Sequence, residues 1–203
     1  KRIPMEAGLG GGSSNLATTL WALNQLHQFP VSSSELKRWA GELSSDAPFF
    51  FSTGTAYATG RGERCEDQSS LSPKKIWIAK PSSGSSTPVV YKHCIPNACS
   101  TAPPIFLLKS FYQGDFPTIN DLECPAFILN PELQRLKQDL LLHGYSQVTL
   151  SGSGSSFFCV GDLSPPELPG VTFYPITFIS RLANSWYQMD SRWQFFFSMP
   201  SYN

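Results

Sequence analysis

The fold class predicted by the sequence is α+β, organised as two lobes. Three observations carry this expectation. Runs after Ser13 and after Asn130 keep apolar residues at helical spacing; short β-branched or aromatic runs alternate with glycine-marked turns; and a polar stretch, RCEDQSSLSPKK at 64–75, separates an earlier group of elements from a later one.

In chain order, PMEAGLGGGSSN (residues 4–15) opens directly into the first helix. There Leu16, Leu20, Leu23 and His27 fall at i, i+4, i+7 and i+11, and Ala17, Ala22 and Leu26 widen the stripe. A second helix is announced by Ser32 and Glu35, an S-x-x-E capping pattern, with Leu36, Trp39, Ala40 and Leu43 as its apolar face and an end near Ser44. Strands are expected at Phe49–Phe51 and Thr55–Thr59, punctuated by Gly54 and Gly60, which completes a first lobe over residues 1–70. Past the polar linker a strand over Ile76–Ala79 begins a second lobe, 71–188. Asn130 caps a helix with Pro131 at its first position; Leu133, Leu136 and Leu140 face inward and Gly144 stops it. Strands Gln147–Leu150 and Phe157–Val160 are joined by SGSGSS, residues 161–170 are irregular, Val171–Ile179 is the last strand, and 189–203 form a tail with no assignable period.

Composition narrows the function classes. With 41% hydrophobic and 13% aromatic residues in 203, the chain can bury substantial cores. Lys+Arg and Asp+Glu both count 15, so there is no formal net charge to hold a nucleic-acid backbone, and no nucleic-acid partner is expected. No apolar run approaches the roughly 20 residues of a membrane helix, and the N-terminus lacks a signal-peptide core, so neither membrane nor export is expected. Cys65, Cys94, Cys99, Cys124 and Cys159 are odd in number and lack a C-x-x-C pair; this suggests neither a disulfide framework nor a zinc site, but reduced thiols in a cytoplasm.

The glycine run bears on chemistry. An ordered run loses much conformational entropy, and its use is positive-φ geometry or close approach of backbone to a ligand. Opening into a helix N-terminus, it outlines a phosphate site, because the first amides of a helix lack intrahelical acceptors and the dipole favours an anion. It is not the Gly-Lys-Ser/Thr P-loop, since Gly12 is followed by Ser13 and Ser14, and no acidic residue about 20 positions on completes a dinucleotide fingerprint. The competing reading is a flexible Gly/Ser connector. Likewise Asp46 in SSDAP reads alone as a turn or cap residue, and SGSG as a plain hairpin turn.

Taken together, KRIPMEAGLGGGSSN, LNQL, SDAPFF, GRGE, NDLE and SGSGSSFF resemble, in order and spacing, the GHMP small-molecule kinases, from Lys1 to about Val160. The resemblance implies a two-lobe fold, a partial N-terminal lobe like ribosomal S5 domain 2 and a ferredoxin-like C-terminal lobe. It implies ATP as phosphoryl donor, Mg²⁺ as its companion ion, and a small-molecule alcohol, the 2-hydroxyl of CDP-methylerythritol, as acceptor; a homodimer is left open. It also implies that Lys1, Pro4, Met5, Glu6, Ala7, Gly8, Leu9, Gly10, Gly11, Gly12, Ser13 and Ser14 line ATP, with Ser13 or Ser14 beside the metal, and that Asp46 is the catalytic carboxylate. A carboxylate cannot fully deprotonate an alcohol about as weak an acid as water, at about 15.7, but it can orient the hydroxyl and take its proton late in a loose phosphoryl transition state. Thr87, Pro88 and Tyr91 fall where the family holds the cytidine end; the alternative for Tyr91 is a strand aromatic facing the core. Gly152 and Gly154 would let the second glycine turn close on the site, and a structural part is expected for Asn120 and Asp121. Family members carry a further N-terminal segment with a lysine that pairs with the aspartate, so the chain as given is expected to be nearly inactive. Rival readings are a mevalonate- or homoserine-type kinase, a non-catalytic nucleotide-binding remnant, and an RNA-binding protein, the last disfavoured by the balanced charge.

Overall fold

A computed structural model describes residues 3–71, 74–114, 119–182 and 186. Lys1 and the tail at 189–203 lie outside these. The chain divides into two compact units: residues 1–12 with 71–178, and 13–70 with 179–203. One boundary falls inside the polar stretch, a second between Phe178 and Ile179, and a third between Gly12 and Ser13, so the glycine loop groups with the later part of the chain.

Within the unit made of 13–70, helix α1 (Gly11–Leu26) is continuous from the loop and α2 (Ser33–Leu43) follows. The Ser32 hydroxyl accepts the amide of Glu35 at 3.2 Å, the cap read from the sequence. Asn24 is buried and clasps both amide and carbonyl of Val31, which fixes the turn between the helices. Ala17, Leu36 and Ala40 are buried and Leu16 and Leu20 half-buried, but the later half of the expected α1 stripe is not covered: Ala22, Leu23, Leu26 and His27 are exposed, and so are Trp39 and Leu43 of α2. Apart from Leu36, the small residues Ala17, Ala40 and Gly41 mark the packed faces, where elements come close; a Cβ on Gly41 would stand 3.3 Å from Pro48 Cγ.

Two further expectations are corrected here. Phe49–Phe51 are not a strand but part of a 3₁₀ turn, Ala47–Phe51, because Asp46 is in the α region and Pro48 holds its φ near helical values while Phe49 and Ser52 donate back three residues. The polar stretch begins as structure: Arg64–Asp67 (β2) pairs antiparallel with Ala56–Thr59 (β1), Tyr57 opposite Glu66, with Cys65 the one buried residue of β2. A two-stranded hairpin with one inward position tolerates that much charge on its other residues.

The unit made of 71–178 carries a four-stranded antiparallel sheet in the order β4-β5-β3-β6, from Ile76–Pro81 (β3), Gln147–Leu150 (β4), Phe157–Val160 (β5) and Val171–Ile176 (β6). Strands β3 and β4 run parallel with β5 between them, joined through helices α3 (Thr87–Lys92), α4 (Pro104–Gln113), α5 (Glu123–Leu129) and α6 (Pro131–His143). This is the ferredoxin-like split crossover. The second crossover, β5 to β6, has no helix; residues 161–170 cross as irregular chain. Strand β6 stops at Ile176, short of Ile179, because Ile176 pairs with Ile76, the first residue of its partner.

Alternation puts Ala79, Phe157, Cys159, Val148 and Leu150 on one face of this sheet, buried against Leu133, Leu136 and Leu140 of α6, Ala126 of α5 and Val90 of α3. α6 behaves as its sequence reads: Asn130 accepts the amide of Glu132 and Gly144, at φ 114°, ends it. By contrast α4 has no buried residue. Among the described residues, no helix is long and apolar enough to cross a membrane.

Candidate active site

The glycine loop is ordered, not a floating connector. Its carbonyls are tied down from two segments of the same unit: Ser85 and Ser155 donate their amides to Glu6 O, Ser156 N donates to Ala7 O, and Ser151 Oγ donates to Gly8 O at 2.8 Å. Ala7 is buried. Gly8 has φ +72°, and a Cβ there would sit 1.9 Å from the carbonyl oxygen of Ser151, so only glycine allows the two backbones to touch. With carbonyls turned to this support, the chain passes Gly10, at φ 63°, and enters α1 at Gly11. The first turn of α1 contains no acidic residue, and a Cβ on Gly12 would meet nothing within 4 Å. Open space at a helix N-terminus without a carboxylate of its own suits an anion.

The supporting turn, Ser151–Ser156, is itself braced. Asn120 Nδ2 donates to Leu150 O at 2.8 Å and to Gly152 O at 2.7 Å, and Glu123 Oε1 accepts the amide of Leu150. The other oxygen of Glu123 pairs with Lys137 at 2.6 Å, both side chains being mostly buried. Gly152 (φ 55°) and Gly154 (φ 86°) take backbone shapes that L side chains rarely adopt. Ser151, Ser153, Ser155 and Ser156 are buried; it is these serines, overlooked between the glycines, that bond to the loop and to Ser83. The hydroxyls of Ser151, Ser153 and Ser155 each find a partner, while Ser156 Oγ is buried without one among the described residues and its amide does the bonding; four serines in one short turn was the signal that could have been read.

Ser153 Oγ lies 2.8 Å from Thr87 Oγ1, which fastens the first residue of α3 to the same turn. Thr87, Pro88 and Tyr91 lie on this short helix, with Val90 turned into the core and Tyr91 60% exposed. The alternative of a core-facing strand aromatic at Tyr91 is therefore overturned; Pro88 sits in the first turn, where its missing amide costs nothing. Asp121 accepts the amide of Ser100. Sequence reading also passed over Lys80, buried, whose ammonium donates to the carbonyls of Pro81 and Ser83. Burial pushes this ammonium below its ordinary range, partly offset by the charge of Glu6.

In the other unit, Ser13 Oγ and Ser44 Oγ stand 3.1 Å apart, so the start of α1 is fastened to the turn after α2 that carries Asp46. Asp46 is exposed and precedes the 3₁₀ turn without capping it. Among the described residues its carboxylate takes neither a hydrogen bond nor an ion pair. Gly62 flanks it; a Cβ there would come 3.7 Å from Asp46 Oδ1. An exposed carboxylate with its oxygens uncommitted can accept a hydrogen bond from an alcohol. Among the described residues no three His, Cys, Asp or Glu side chains gather as a metal cage.

Residues 1–54 match the GHMP kinases N terminal domain and residues 107–168 the GHMP kinases C terminal domain, together more than half of the chain. Over 190 residues the chain is 48% identical to the 4-diphosphocytidyl-2-C-methyl-D-erythritol kinase of Protochlamydia amoebophila, covering 92% of this chain and 63% of that one. It is 44% identical to the chloroplastic/chromoplastic enzyme of the same name from Solanum lycopersicum, covering 92% and 50%. The chain thus spans about half to under two thirds of the length of these curated relatives. A crystal structure of 4-(cytidine 5'-diphospho)-2C-methyl-D-erythritol kinase superposes with a TM-score of 0.66 at 38% identity, over 80% of this chain and 60% of that one. A homoserine kinase from Cytophaga hutchinsonii, 14% identical with a TM-score of 0.67 over 90% and 69%, shares the fold.

Proposed function

The chain belongs to the GHMP kinase family, and from that premise we propose that it forms part of an ATP-dependent kinase for the 2-hydroxyl of 4-diphosphocytidyl-2-C-methyl-D-erythritol, in the methylerythritol phosphate route to isoprenoid precursors. One observation carries the reading: the glycine loop is held by its carbonyls and opens into a carboxylate-free helix N-terminus.

In this reading residues Pro4–Ser14 hold the phosphates of ATP, with the amides of Gly10, Gly11 and Gly12 and the first turn of α1 as donors. Mg²⁺ fits as an ion carried largely by phosphate oxygens and water, with the hydroxyl of Ser13 or Ser14 as the chain's contribution, because no carboxylate cage is at hand among the described residues. Bound there, the ion would neutralise phosphate charge. Asp46 accepts a hydrogen bond from the substrate hydroxyl, aligns its oxygen on the γ-phosphorus, and takes the proton as the new P–O bond forms and the bond to the ADP oxygen breaks. Thr87, Pro88 and Tyr91 hold the cytidine, Tyr91 by its exposed ring.

The test is calorimetric titration of ATP–Mg²⁺ into the chain and into Asp46→Asn, followed by ADP release with the substrate, with and without an N-terminal extension. The expected outcome is unchanged nucleotide affinity in the variant and, in the extended form, a loss of turnover of about 10²–10⁴-fold. Absence of nucleotide binding in the unaltered chain, or equal turnover of the extended form with and without the substitution, would overturn the proposal.

A further inference from the structure

Outside the site, Cys94 and Cys99 are the one place among the described residues where two sulfurs meet: Sγ to Sγ is 3.8 Å. They flank Ile95-Pro96-Asn97-Ala98, and the short 3₁₀ turn Pro96–Ala98 folds the second cysteine back toward the first. The backbone secures both ends. Cys94 N donates to Tyr91 O at the end of α3, Cys99 N donates to Pro96 O, and the next residue, Ser100, donates its amide to Asp121. Both thiols are only half-buried, whereas Cys65 and Cys159 are enclosed and Cys124 is exposed without a sulfur neighbour among the described residues.

We propose that Cys94 and Cys99 form a dithiol modification site that a low-molecular-weight disulfide of the glutathione class oxidises to an intramolecular disulfide. One protein thiolate attacks the small disulfide, forming a mixed disulfide and expelling one small thiolate. The second protein thiolate then attacks the protein sulfur of that bond and expels the other small thiolate. Two electrons pass from the protein sulfurs to the small disulfide, and the two thiol protons end on the two small thiols. With the second sulfur already 3.8 Å away, against an S–S bonding distance of about 2.0 Å, ring closure outruns attack by a second small molecule. The hydrogen bond to Cys94 holds the Cys99 thiol above its ordinary range, and closure therefore quickens as pH rises.

The test treats the folded chain with oxidised glutathione, traps remaining thiols, and reads the tryptic peptide 93–109, which contains both cysteines between Lys92 and Lys109. The expected product lacks two hydrogens and carries no glutathionyl group, while the peptide containing Cys124 gains one. Cys99→Ser should instead stop at a stable glutathionyl adduct on Cys94, as Cys94→Ser should on Cys99. Two separate adducts on Cys94 and Cys99 of the unaltered chain would overturn the inference, and so would an unmodified pair under conditions where Cys124 reacts. The mass measurement on the unaltered chain decides the matter even if a serine variant fails to fold.

Discussion

Gly8 lies in the glycine loop and Gly12, four residues on, in the first turn of α1, and opposite physics governs them. At Gly8 any side chain must shift the Ser151 carbonyl from 1.9 Å and also bear φ +72°. Gly8→Ala is therefore expected to destabilise the chain by at least about 2 kcal/mol, measured by denaturant unfolding. Gly12 lies inside α1 with open space around it, so Gly12→Ala should leave stability unchanged or raise it by up to about 1 kcal/mol. On the proposed function its effect belongs to the ligand: a methyl group at the mouth of the proposed anion site should weaken ATP binding in the same titration that leaves folding intact. Lys80 gives a prediction in pH. Its pKa is lowered in the fold, so the unfolded chain holds that proton more tightly. The stability difference between wild type and Lys80→Met should therefore change in favour of the wild type as pH climbs from the folded value toward 10.5, the ordinary lysine value. Unfolding midpoints that keep a constant gap between the two chains across that window would exclude this account.

At the level of elements, α6 separates burial from mere hydrophobicity. Leu140 is fully enclosed in the core beside the sheet, and Leu142, two residues on, is 85% exposed. Leu140→Ala should cost about 2–5 kcal/mol, while Leu142→Ala should stay within about 0.5 kcal/mol; chemical denaturation of the two variants checks the contrast. This helix was readable because cap, period and stop agree: Asn130, then Leu133, Leu136 and Leu140, then Gly144. The stripe of α1 holds in its first half, with Ala17 buried and Leu16 and Leu20 half-buried, and fails in its second, where Leu23, Leu26 and His27 are exposed and Asn24 takes the buried position. The 3₁₀ turn at Ala47–Phe51 was misread because three consecutive phenylalanines have strand propensity, yet Pro48 sets the backbone first. Helices α3, α4 and α5 gave no local signal of their own: TPVVYK contains two valines, and α4 buries nothing to impose a period.

For the molecule as a whole, the ferredoxin-like order β4-β5-β3-β6 places β3 and β5 inside the sheet and β4 and β6 at its edges. Amides of β3 and β5 should accordingly exchange with solvent most slowly in that unit, and those of α4, with no buried face, among the fastest; native-state hydrogen exchange reads both. Residues 1–12 grouping with 71–178 is a long-range outcome of the same kind. Taken alone, the sequence determined the existence of the glycine loop, the capped helices, the paired strands around SGSGSS and the candidate carboxylate at Asp46, because each is encoded within a few neighbouring residues. Only the tertiary structure decided which atoms hold the loop: Ser151 reaches Gly8 across 143 residues and Thr87 reaches Ser153 across 66. The physical reason is range. Backbone propensity and side-chain period act over one or two turns of chain, whereas a hydrogen bond between remote serines depends on where the whole sheet carries them.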